Sequence, residues 1–117
     1  MKYVMLIMNT PEGDAISEAD KQAWYSEIFA WYEKWGSTPK LPDGGQQLQP
    51  PATAKTIRGA AGKITLTDGP FIETKEALGG YSVLETDTID EAVEISKTWP
   101  GVDRGWITIE VRPVIPM

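Results

Sequence analysis

Residues 67–81 read Thr67-Asp68-Gly69-Pro70-Phe71-Ile72-Glu73-Thr74-Lys75-Glu76-Ala77-Leu78-Gly79-Gly80-Tyr81, and this run gathers most of the side chains that could do chemistry. Asp68 stands before Gly-Pro. An aspartate there either accepts from the backbone amides of its own turn or, turned into a cleft beside Phe71, acts as a proton acceptor. Glu73, Lys75 and Glu76 follow at once. They form either a solvated set of ion pairs or a site in which Lys75 anchors an anionic substrate while Asp68 or Glu73 moves a proton. Gly79 and Gly80 open the next strand, where two residues without side chains permit a bulge or a close approach of backbone to a ligand.

A second set lies near the C-terminus. Glu110 and Arg112 are two residues apart, so in a strand they share one face with Trp106 and Thr108. Were that face turned inward in a dimer, the acid and the guanidinium would each need a partner, and a bound ligand could be that partner. An exposed face is the alternative, since Pro113 and Pro116 lead the chain away from a sheet. Gln49, next to Pro50, is the expected third wall of a cleft shared with residues 68–76 and the last strand.

Composition limits what these residues can be asked to do. The chain has 117 residues, the size of one domain (1–117), and its 41% hydrophobic content is too high for a disordered chain. With no histidine and no cysteine, the commonest general base, the commonest metal ligand and every thiol mechanism are missing, so no metal and no cofactor are expected. A net charge of −6 with scattered Lys and Arg argues against nucleic acid and against anionic membranes. The apolar opening Met1-Lys2-Tyr3-Val4-Met5-Leu6-Ile7-Met8 stops at Asn9 without a cleavage site and reads as a buried strand. A cytoplasmic protein is therefore expected.

The elements that must position the candidates alternate along the chain. Ser17 with Glu18 and Asp20 marks a helix start, and Trp24, Ile28, Trp31 and Trp35 form one stripe over residues 18–35 that Gly36 can close. Such a stripe either packs on a sheet or forms an aromatic binding wall. Residues 37–51 hold four prolines and two glycines and read as a loop with a short extended piece at 46–48. Residues 53–58 and 63–67 form a hairpin turning at 59–62, residues 80–85 a strand, and 88–91 a capping box for a second helix that ends before Pro100. Residues 106–114 close the chain as a strand with Ile107, Ile109 and Val111 on one face. The order is that of an α+β, ferredoxin-like βαββαβ fold: an antiparallel sheet with two helices on one face, plus an inserted β-hairpin. Its other face lies bare, and a homodimer burying it is the simplest outcome.

The segment Asp68-Gly69-Pro70-Phe71-x-Glu73-Thr74-Lys75-Glu76 resembles the signature of the DGPF branch of the YciI-related (YCII) proteins. The resemblance extends from Met1-Lys2-Tyr3-Val4 through Leu48-Gln49-Pro50-Pro51-Ala52-Thr53-Ala54 to Glu110-Val111-Arg112-Pro113-Val114. It implies a ferredoxin-like fold, a dimeric α/β-barrel assembly made by stacking sheets, and a cleft near the signature. Many such proteins are uncharacterised and encoded beside extracytoplasmic-function sigma factors. Related YciI-type proteins look like enzymes with a His-Asp pair, which a chain without histidine cannot have. Where family members usually read Gly-Glu-Gly-Leu, this chain has Gly44-Gly45-Gln46-Gln47-Leu48.

Three functions are compatible with these readings. The first is a homodimeric small-molecule-binding protein that takes a small anionic or aromatic ligand. The second is a cofactor-free lyase or isomerase in which Asp68 or Glu73 moves a proton and Lys75 or Arg112 holds the substrate. The third is a protein–protein regulatory module, linked to an extracytoplasmic-function sigma-factor pathway, that docks through its tryptophan-bearing helix.

Overall fold

The computed structural model describes residues 1–70 and 76–117. Among these, Lys2–Asn9 (β1), Gly45–Gln47 (β2), Ala77–Glu85 (β5) and Ile107–Pro113 (β6) form an antiparallel sheet in the order β2-β5-β1-β6. Lys55–Ala60 (β3) and Lys63–Asp68 (β4) form a separate two-stranded hairpin. The helices are Pro11–Asp14 (α1), Glu18–Gly36 (α2) and Ile89–Lys97 (α3). With the short α1 and the hairpin set aside, this is the ferredoxin-like fold, with β1 and β5 at the centre of the sheet.

Alternation along β1 decides the layering. Tyr3, Met5 and Ile7 point to one side and are buried with Leu84 of β5 and Ile107 of β6, whereas Val4, Leu6 and Met8 point to the other side and are only half-buried. Trp24 and Trp31 of α2 and Ala92 and Ile95 of α3 complete the first cluster, so both long helices cover the same face.

Each helix starts where a side-chain oxygen meets a free amide. Ser17 Oγ accepts from the Asp20 amide at 3.1 Å and Thr88 Oγ1 from the Glu91 amide at 3.2 Å. The Trp24 indole donates to the Pro100 carbonyl at 2.8 Å, and the Trp31 indole donates to Thr98 Oγ1 at 2.9 Å. These bonds pin α2 to the C-terminal end of α3. The tryptophan stripe is therefore core, and Trp24 also meets the rings of Trp99 and Trp106 edge-on at 6.4 and 5.3 Å.

Several boundaries differ from the sequence reading. The hairpin reverses at Ala61 and Gly62 alone, both with positive φ (52° and 80°), a two-residue turn whose twist suits paired strands. β5 begins at Ala77 rather than residue 80, because its bulged start still pairs with Met8 and Asn9. Trp106 does not share the face of Thr108 and Glu110. It precedes β6, and the turn through Gly105 lays its ring against Trp24 and beneath the Arg104 guanidinium, 4.4 Å away. The helix α1 was not foreseen; Thr10 caps it by accepting from Gly13 and ties it to the Gly105 carbonyl.

Gly101 sits at the crossing of these elements with φ +97°, and a Cβ there would come within 2.9 Å of the Trp24 indole. Gly101→Ala combines left-handed strain with a clash against a ring that is already hydrogen-bonded, so a loss of about 1–3 kcal/mol in urea unfolding is expected. An unchanged unfolding midpoint would show that the α2–α3 junction tolerates what this packing forbids.

Candidate functional site

The face of the sheet that, among the described residues, no helix covers carries the polar groups that the topology brings together. Across the strands, Gln46 of β2 lies beside Tyr81, Tyr81 beside Leu6, and Leu6 beside Glu110. The adjoining row places Val83, Val4 and Arg112 together, and the next places Leu78, Met8 and Thr108. The result is an apolar strip over β1 and β5, flanked by Gln46 and Tyr81 on one side and by a polar row on β6 on the other.

Within that row Arg112 donates to a Glu110 carboxylate oxygen at 2.5 Å, and Thr108 donates to Glu76. The end of the signature run thus reaches the face of the last strand. Because the Glu110 and Arg112 side chains are 47% and 67% exposed, their ion pair adds little stability and can exchange partners at small cost. A planar, always-charged guanidinium at the edge of an apolar floor can hold a small planar anion.

The remaining sequence candidates are placed differently. Asp68 ends β4 with its side chain 82% exposed and accepts from Lys55 Nζ at 2.5 Å, directly across the hairpin. This cross-strand pair, rather than amides of its own turn or a dry cleft, is what occupies the carboxylate. The pair closes the base of the hairpin with the Gly69 amide on the Ala54 carbonyl and the Thr56 hydroxyl on the Gly69 carbonyl. Gln49 is exposed in the connection that follows β2. Gly79 faces the Asn9 side chain, which a Cβ would meet at 2.5 Å; at Gly80 a Cβ would meet the Gln46 carbonyl oxygen at 2.7 Å. Both glycines therefore let the chain's own strands approach at the bulge between Ile7 and Met8. Phe71, Glu73 and Lys75 lie outside the described residues.

Tyr81 and Gln46 belong to the face and were not singled out from sequence. The alternation of Val4, Leu6 and Met8 against Tyr3, Met5 and Ile7 was the available signal, since a strand apolar on both sides is covered on both.

The chain belongs to the YCII-related domain family, which matches residues 1–117. An uncharacterised protein of Rhizobium meliloti is 30% identical over 115 residues, covering 97% of this chain and 92% of its own. The fold is similar to that of 5-chloro-2-hydroxyhydroquinone dehydrochlorinase from Burkholderia phenoliruptrix, solved in complex with 2,5-dihydroxybenzoquinone. That likeness has a TM-score of 0.58 and 14% identity, covering 100% of this chain and 96% of the other.

Among the described residues of this YCII-related chain, no cluster of three His, Cys, Asp or Glu side chains could hold a metal ion, and no helix is long and apolar enough to cross a membrane. A separate hollow of about 250 Å3 lies between Met1, Pro39, Lys40 and residues 85–87. Its two cations are already engaged: the Met1 ammonium donates to the Thr86 carbonyl at 3.0 Å, and Lys40 Nζ to Glu91 at 2.7 Å. The hydrogen bond from Lys40, helped by the Asp87 amide, holds the Glu91 carboxyl below its usual range, and the same bond raises Lys40. This is a clamp joining the α2–β2 connection to the first turn of α3.

A lowered carboxyl stabilises the fold above its unfolded value, near 4.3, and that contribution is lost as pH falls through the folded value. A raised lysine contributes fully below about 10.4 and loses its part as pH rises through the folded value. Lys40→Met is therefore expected to be less stable than the parent at pH 7, with the gap narrowing at pH 3 as Glu91 protonates. Urea midpoints at the two pH values check this, and a gap of equal size at both would contradict the clamp.

Proposed function

We propose that this chain is a homodimeric small-molecule-binding protein that takes a small anionic or aromatic compound on the open face of its sheet. The observation that carries the reading is the Glu110–Arg112 pair on β6, which shares one face of the sheet with Val4 and Leu6 of β1 and with Tyr81 and Val83 one strand further on. A ring of modest size can lie on that strip while an ionised oxygen faces Arg112 and a hydroxyl faces Glu110. Glu76, bonded to Thr108, brings the end of the DGPF-like run to the rim of the same cleft. Support also comes from the similar dehydrochlorinase, whose bound 2,5-dihydroxybenzoquinone is a compound of this kind. The apolar strip, which nothing within the described residues covers, supports homodimerisation.

A cofactor-free lyase or isomerase acting on a small anionic substrate is the second reading, favoured by the named activity of that structural relative. In it Arg112 holds the substrate and Asp68 or Glu73 accepts the proton, Asp68 after leaving Lys55. A regulatory docking module would have to use the outer side of α2, where Phe29 is 73% exposed, because Trp24 and Trp31 are only 9% and 5% exposed.

Thermal unfolding with added 2,5-dihydroxybenzoquinone tests the binding reading. A ligand at 100 times its dissociation constant is expected to add about 2.7 kcal/mol. Arg112→Met is expected to weaken binding by about 1.5–3 kcal/mol while the unliganded melt stays in place. An equal shift in the variant would move the ligand away from β6, and no shift with any small acid or ring compound would end the proposal. For the lyase, Asp68→Asn is expected to abolish turnover with the fold intact; unfolding instead would reduce Asp68 to its pairing with Lys55.

A further inference from the structure

We propose that the β3–β4 hairpin is an arm that clasps a second copy of this chain, laying its apolar side on the partner's open sheet face and walling the partner's ligand cleft. The inference rests on the homodimer of the proposed function and adds to it the element that makes the contact.

Among the described residues, nothing covers one apolar side of the hairpin. Ile57 pairs across with Leu66 and Gly59 with Ile64, so the three large side chains share a side, and they are 70%, 66% and 79% exposed in that order. Apart from half-covered Thr56, every residue of both strands is exposed. An isolated two-stranded hairpin is marginal in water unless a further surface supports it. The arm also leaves the body: the radius of gyration is 16.1 Å, against about 13 Å for a compact chain of this length.

Reach and charge select a second copy as the occupant. Strands of six residues extend about 20 Å, and a four-stranded sheet is about 14 Å wide, so one arm can cross one sheet. In projection the sheet face, with its longest strands of eight or nine residues, is on the order of 400 Å2. A stable interface takes about 800 Å2 from each partner, so the arms supply area that stacked sheets alone lack. The hairpin carries Lys55, Arg58 and Lys63 against Asp68, a net +2, which leaves −8 on the rest of a chain whose total is −6. A basic arm on an acidic body is complementary to another acidic body, and a two-fold axis satisfies both arms at once.

The absence of cysteine allows a clean test with the full chain. Ile64→Cys carrying a spin label is mixed with isotope-labelled parent protein, and relaxation of the parent's amides is recorded. Broadening at Leu6, Tyr81 and Val83 is expected. Sedimentation of Ile64→Ser/Leu66→Ser is expected to show a dimer dissociation constant at least 10-fold above the parent's, with the tryptophan emission of the core unchanged. A dimer of parental strength in that variant, or broadening confined to α2, would overturn the arm while leaving the dimer. A monomeric parent would overturn both, and a monomer that sediments with anionic vesicles would assign the apolar side to a lipid surface instead.

Discussion

The four-stranded sheet takes both of its long helices on one side and, among the described residues, carries none on the other, and the rest of this structure is arranged around that asymmetry. The covered side is locked by directional bonds as well as by area: two indole N–H groups cross from α2 to the end of α3, and Tyr32 and Ser82 share a hydrogen bond of 2.6 Å inside the layer. Tightening one side in this way fixes the positions of side chains on the other. The backbone alternation that buries Met5 also presents Leu6, and the alternation that turns half-buried Ile109 and Val111 toward the helices presents Glu110 and Arg112.

Chemistry on the presented side is therefore a by-product of register. Leu6 lies between Tyr81 and Glu110, and Val4 between Val83 and Arg112, because β1 pairs antiparallel with β5 and β6. A one-residue slip would send those groups into the core. The bulge at Ile7 and Met8 and the glycines beside it guard that register at the end of the sheet nearest the signature run.

Much of this was legible in the sequence, and the parts that were not share a cause. The Ser17 and Thr88 caps, the tryptophan stripe and the alternation at Ile107, Ile109 and Val111 are local patterns with periods set by the backbone, and each appears in the fold as expected. Asp68 read as turn punctuation or as a base because its partner, Lys55, is 13 residues away and meets it only through hairpin register. Trp106 was assigned to the wrong side because it stands one residue before the strand, where alternation does not yet apply. Lys40, which clamps Glu91 from 51 residues away, has no local signal at all. Pairings set by tertiary register escape a reading built on local periodicity.

The central claim is that the uncovered face of the sheet is the working surface of the molecule. It is tested most directly by following methyl resonances during titration with 2,5-dihydroxybenzoquinone. The account predicts shifts at Val4, Leu6, Met8 and Val83, with Met5, Ile7 and Leu84 on the helix side unmoved. Shifts confined to the helix side, or to the hollow beside Met1, would contradict it.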